Sequence, residues 1–187
     1  MGSAAYGFDD QFDLGCFGED RLSEFRHEHY TLTKSTLEME KHGIDFIFAN
    51  RLTGKSWTIE LKTDFKAFES ENAFVETISV DNATQHRAGW VYTSEAQILL
   101  YFIPQSGSLY ILDLARLREK MPEFARRFQT VSTSTRRHST YYRTHGILVP
   151  LTELAKLAHS ILELPIKLPP GYQSAKMKSS KLLTKRK

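Results

Sequence analysis

The chain has 187 residues, of which 41% are hydrophobic and 25% charged, with a formal net charge of +3; these are the proportions of one folded domain with enough apolar residues for a real core. No apolar run approaches the length of a membrane span, and the N-terminus, "MGSAAYGFDDQFDLG", has neither the basic start nor the apolar stretch of a secretory signal. A single cysteine, Cys16, excludes an intrachain disulfide and a zinc ribbon, so the composition points to a soluble, cytoplasmic protein without a membrane partner.

In chain order, residues 17–29 ("FGEDRLSEFRHEH") predict a helix whose first turn carries Glu19 and Asp20 and whose apolar face carries Leu22 and Phe25. Residues 31–41 are β-leaning and Thr-rich. Residues 44–50 alternate, with Ile44, Phe46 and Phe48 on one face and Asp45, Ile47 and Ala49 on the other. "RLTGK" then turns the chain into 56–64, where Trp57, Ile59 and Leu61 oppose Thr58, Glu60 and Lys62. Strands are expected at 74–80 and, shorter, at 89–93. Residues 97–104, "QILLYFIP", form the near-continuous apolar run of a strand buried on both faces, and "QSG" folds it into a hairpin with 108–114. An amphipathic helix interrupted near Pro122 follows, then a long, polar, basic loop over 129–146, then a short strand and a last helix. Residues 167–187 hold seven Lys or Arg and no acid, which leaves 1–166 net acidic. Residues 116–143 hold eight Lys or Arg against Glu119 and Glu123. An acidic body with basic segments suits a polyanionic partner that touches part of the surface; for the tail alone, a solubilising appendage is the other reading. The expected organisation is an α/β domain over 1–166, with a mixed sheet flanked by helices, and a basic, flexible tail over 167–187.

Three charged residues stand where apolar ones would pack better. Glu60 and Lys62 are two apart, so they leave one face of one strand. Asp45 starts the neighbouring strand, near the open end of the same hairpin. Two carboxylates converging there make a hard-oxygen site suited to Mg²⁺, or Mn²⁺ in its place, and a lysine beside them can hold a water nucleophile or offset phosphate charge. The competing reading is an exposed hairpin face with a cross-strand ion pair.

Asp45, fourteen intervening residues and Glu60-Leu61-Lys62, behind a helix carrying Gly18-Glu19, resemble the PD-(D/E)XK nuclease superfamily of restriction-type endonucleases, Holliday junction resolvases and phage recombination nucleases. The resemblance spans residues 17 to about 114. The proline that names the motif is replaced by Ile44. The resemblance implies a restriction-endonuclease-like α-β-β-β core and Mg²⁺-dependent hydrolysis of DNA phosphodiesters, endonucleolytic rather than exonucleolytic, in repair or recombination. Asp45, Glu60 and the Leu61 carbonyl would hold the metal, Lys62 would position the attacking water, and Glu19 would add an acid from the helix. Glu76, in "FVETISV", is a further metal-ligand candidate, with an outward-facing strand residue as the alternative. Many enzymes of this superfamily carry a polar or basic residue downstream that contacts phosphate; Gln85 or Arg87 could serve, with an ordinary loop residue as the alternative. Arg136, Arg137, Tyr141 and Arg143 in the 129–146 segment suit phosphates and unpaired bases. Many relatives act as dimers because two strands need cutting, which extends the expectation of a homodimer to this chain. The alternative function is a catalytically inactive nucleic-acid-binding module or accessory subunit on the same fold. His27 and His29, two apart at a helix end, point apart and do not make a zinc site, and Cys16 reads as a packed thiol.

Overall fold

The computed structural model describes residues 6–24, 26–137 and 140–165; for 6–14, 135–137 and 140 only the backbone is described. The basic tail over 167–187 and Phe25 therefore lie outside the described residues. In chain order the elements are β1 (Tyr6–Gly7), α1 (Phe8–Ser23), β2 (Tyr30–Lys34), α2 (Leu37–Lys41), β3 (Phe46–Asn50), β4 (Ser56–Thr63), α3 (Ala67–Ser70), β5 (Asn72–Asp81), β6 (His86–Ala88), α4 (Trp90–Thr93), β7 (Ile98–Ile103), β8 (Ser108–Asp113), α5 (Leu114–Arg127), β9 (Thr130–Arg137), β10 (Thr140–Pro150), α6 (Leu151–Leu157) and β11 (Ala158–Glu163).

A mixed six-stranded sheet runs β11-β8-β7-β4-β3-β2. Within it β4 and β7 are parallel, and the other neighbours are antiparallel. The apolar run over 98–103 is its centre: Leu99, Tyr101 and Ile103 pack on one face with Val75, Val149 and the inner side of α5 and α6, while Leu100 and Phe102 pack on the other with Leu22 and Phe17 of α1. A strand covered on both sides has no polar face to show water, which is why its alternation disappears. A second sheet, β1-β9-β10-β5-β6, carries the remaining strands. Among the described residues no helix is long and apolar enough to cross a membrane.

Six expectations change. Residues 37–41, in the stretch expected as β-leaning, form helix α2, and the expected last helix ends at Leu157 and gives way to strand β11. Helix α1 begins at Phe8 and ends at Ser23, so Gly18-Glu19 lies well inside it rather than in its first turn. Residues 90–93 form a helical turn, not a strand. Helix α5 runs through Pro122 without a break; Leu117, Met121 and Phe124 are buried on either side of the proline, and this burial holds the two halves in line against the lost hydrogen bond. Most of the segment expected as a basic loop over 129–146 is a β-hairpin, pairing Tyr142 with Thr135 and Arg143 with Ser134. Its Thr, Val and Tyr content suits strands, whereas its charge alone reads as loop.

Candidate active site

The motif hairpin sets the geometry. Phe46 pairs with Ile59 and Ile47 with Thr58, and Asp45 lies just before Phe46, past the end of that register. The pairing is continued by Asp45 itself, whose backbone N–H donates to the Ile59 carbonyl at 2.7 Å. Its carboxylate Oδ2 then accepts the Leu61 N–H at 2.6 Å. Its backbone carbonyl accepts the Ser35 N–H at 2.9 Å, so Asp45 is fixed at the end of the ladder by two backbone bonds and one side-chain bond.

Alternation along β4 sends Ile59 and Leu61 into the core under α1 and Glu60 and Lys62 to the opposite face. Glu60 is 2% exposed. Its Oε1 makes a close ion pair with the Lys62 ammonium, and its Oε2 is buried without a hydrogen-bond partner. The hydroxyl nearest to a role there, Ser94, gives its proton to the Gly43 carbonyl at 2.6 Å. Gly43 has φ +68°, and a Cβ on it would come within 2.8 Å of Glu60 Oε2 and of Ser94, so both the turn and the close approach of the carboxylate require glycine here.

Lys62 also meets α4. Its ammonium lies 5.9 Å from the centre of the Trp90 ring, and the Trp90 N–H donates to Glu76 Oε1 at 3.2 Å. Burial alone would lower the Lys62 pKa, but Glu60, Asp45 and Glu76 together outweigh it and raise the value above that of an ordinary lysine. The carboxyls move the other way in charge preference. Burial raises the pKa values of Asp45, Glu60 and Glu76, and Lys62 offsets this only in part. Asp45 and Glu60 also repel each other.

The expected constellation therefore assembles: Asp45, Glu60, the Leu61 backbone and Lys62 along one hairpin, with Glu76 facing Lys62. Glu76 arrives from the second sheet, however, not from a strand beside β4, whose neighbours are β3 and β7. Glu19 sits on the far side of Asp45, within electrostatic reach of it, and its Oε2 is held at 2.9 Å by Lys34. It is carried there by the packing of α1 on β4 at Gly18, where a Cβ would collide with the Thr63 hydroxyl. Four residues of the site were not anticipated: Glu40, Lys34, Trp90 and Ser94. Glu40 shares Lys34 with Glu19, at 3.9 Å, and adds negative field at Asp45. It rides on α2, whose start is capped by the Thr36 side chain accepting the Met39 N–H; Thr36 followed by Leu37-Glu38-Met39-Glu40 was the available signal for a helix.

The donors around Asp45 and Glu60 are oxygens. Among the described residues no group of three or more His, Cys, Asp or Glu is arranged as a metal cage, but Mg²⁺ is ordinarily held by one or two carboxylates and keeps several waters. The unpartnered buried Oε2 of Glu60 is the feature a cation fits, since an unsatisfied buried oxygen costs on the order of 1–3 kcal/mol.

Gln85, Arg87, Tyr141 and Arg143 lie away from this cluster, on the second sheet. Gln85 closes the β5–β6 turn, which Asn82 shapes by accepting the Thr84 and Gln85 N–H groups at 2.9 Å each. Arg87 pairs in register with Val80. Tyr141 pairs with Arg136 and Thr140 with Arg137, while Arg143 pairs with Asp81 on its other side. Comparison with known proteins finds no matching family model, no matching curated protein and no matching solved structure.

Proposed function

We propose that the protein is a metal-dependent nuclease that hydrolyses DNA phosphodiesters at the Asp45–Glu60–Lys62 cluster. The observation that carries this reading is the Glu60–Lys62 pair, almost closed off from water on the glutamate side, beside a second carboxylate and with one glutamate oxygen unpartnered. An exposed hairpin face would leave both charges in water, where an ion pair contributes little and needs no burial.

The order helix, three antiparallel strands and a fourth strand parallel to the third, here α1, β2, β3, β4 and β7, supports a restriction-endonuclease-like core. In this reading Asp45 and Glu60 would hold Mg²⁺, or Mn²⁺ in its place, with the Leu61 carbonyl beside them. The cation supplies Lewis-acid neutralisation of the phosphate charge. In the metal-free chain Glu60, Asp45 and Glu76 favour the Lys62 ammonium; in that form Lys62 would donate hydrogen bonds to the attacking water and to the phosphate, orienting the one and neutralising charge that builds on the other. Trp90, on α4, and Glu76, on the second sheet, favour that ammonium. Glu76 so becomes a positioning residue for Lys62 in addition to a candidate ligand, and Glu19 and Glu40 enlarge the negative field that draws a cation to Asp45. Gln85, Arg87, Arg136, Arg137, Tyr141 and Arg143 would contact the nucleic acid. The cleavage is endonucleolytic in this reading, and a homodimer would supply two cutting sites for two strands.

Incubation with single-stranded, duplex and four-way-junction DNA tests the proposal. Cutting is expected with Mg²⁺ or Mn²⁺, none with chelator, and none by Asp45→Asn. Unchanged turnover in Asp45→Asn would exclude it as a ligand. Tight binding to one DNA form without any cutting would instead favour the inactive binding module.

A further inference from the structure

A surface cleft of about 480 Å³ lies on the second sheet, lined by Asp81, Asn82, Ser134, Tyr141, Tyr142 and Arg143. Its size suits a flat small molecule or a few linked rings rather than a broad protein surface. Tyr141 is 58% exposed, and Arg143, also exposed, leaves the same face of β10 two residues on. Among the described residues the one acid in the lining, Asp81, has both oxygens engaged: His145 Nε2 lies 2.8 Å from Oδ2 and His86 Nδ1 lies 3.3 Å from Oδ1. An approaching phosphate therefore meets Arg143, with the neighbouring Asp81 carboxylate already matched to two imidazoles. An exposed aromatic ring beside an arginine is the pairing that unpaired bases use: the ring stacks on any base, and the guanidinium meets the backbone. Bases inside a duplex are stacked on each other and do not offer that face.

We propose that this cleft binds an unpaired stretch of nucleic acid, Tyr141 stacking on a base while Arg143 meets the adjoining phosphate. The proposal rests on the nucleic-acid reading above and names the form of substrate. The cleft has a fixed position relative to the candidate active site. Asp81 and Glu76 are on one strand, five residues apart, or about 17 Å at the rise of a strand. Substrates with a single-stranded arm next to the cut are the class that would fill both places.

Binding of fluorescent twenty-nucleotide oligo-dT, oligo-rU and a blunt duplex is measured by anisotropy in chelator, so that no cleavage intervenes. Wild type, Tyr141→Ala and Tyr141→Phe are compared, each checked for an unchanged melting temperature. The wild type is expected to bind a single strand. Tyr141→Ala is expected to weaken that binding by about tenfold or more, Tyr141→Phe to keep it, and duplex affinity to stay within about twofold. The two single strands then separate DNA from RNA as the ligand. No single-strand binding by the wild type, an unchanged affinity in Tyr141→Ala, or an equal loss for duplex would overturn the proposal. Cleavage that persists with unchanged single-strand affinity in Tyr141→Ala would sink this inference and leave the nuclease reading standing; Tyr141-dependent binding without any cleavage would do the reverse.

Discussion

A lysine set among carboxylates in a half-closed space keeps its proton only if their attraction exceeds the cost of burial. For Lys62 it does: the side chain is 33% exposed and paired to a glutamate that is 3% exposed, and the pKa moves up. In that form the side chain donates hydrogen bonds and accepts none. The neighbouring carboxyls carry the opposite strain. Asp45, Glu60 and Glu76 have folded pKa values above their ordinary range, chiefly through burial, so the folded state holds protons there more tightly than the unfolded chain does. Their contribution to stability is therefore most favourable at acid pH and declines as pH rises from the ordinary carboxylate range through the raised folded values. A cation bound at Asp45 and Glu60 relieves that cost, and only once they are ionised. Mg²⁺ at ten times its dissociation constant is expected to add about 1.4 kcal/mol, a rise of roughly 3–5 °C in melting temperature for a chain of this size. The rise is expected at pH 7.5, to shrink towards pH 4.5, and to vanish in Asp45→Asn. Equal shifts in wild type and Asp45→Asn at pH 7.5 would place the cation elsewhere.

At the scale of elements, the site depends on close approaches that only small residues allow. Helix α1 approaches β4 at Gly18, where a Cβ would strike the Thr63 hydroxyl. Gly18→Ala is expected to destabilise the fold by about 1–3 kcal/mol by overpacking. Thr63→Ala in the same chain is expected to restore most of that loss, a coupling that a double-mutant cycle in urea measures directly; additive losses would mean that the two do not touch. Elements of this kind also show what the sequence makes legible. Asp45, Glu60 and Lys62 could be read because a two-residue period and one tight turn fix their faces, and those are local rules. The buried run over 98–103 and its hairpin could be read for the same reason. The hairpin over 130–150 could not, since its charges and polar residues mimic a loop until a partner strand, β5, supplies its other edge. Nor could Trp90 and Glu76 be assigned to Lys62, because they approach from α4 and from a second sheet, whose positions no local pattern encodes. Glu40 was hidden by a Thr-rich stretch that reads as strand, although Thr36 caps a helix there.

For the molecule as a whole, charge is the property that reaches furthest. Residues 1–166 are net acidic while 167–187 carry seven Lys or Arg and no acid. A polyanion is thus repelled by much of the body and attracted by the tail and by the exposed arginines of the second sheet. Removing 167–187 is expected to weaken DNA binding most at low salt and to flatten the dependence of affinity on salt, in proportion to the number of phosphates that the tail neutralises. An unchanged salt slope would leave the tail without a part in binding. Lys62 tests the central claim more directly. Single-turnover cleavage in Mg²⁺, with the DNA form the wild type cuts best, is to be compared between wild type and Lys62→Ala at equal DNA occupancy. A loss of about 10²-fold or more in rate, with fold and DNA affinity kept, is the expected result. Cleavage by Lys62→Ala at the wild-type rate would contradict it, as would a wild type that cuts no DNA form in Mg²⁺ or Mn²⁺.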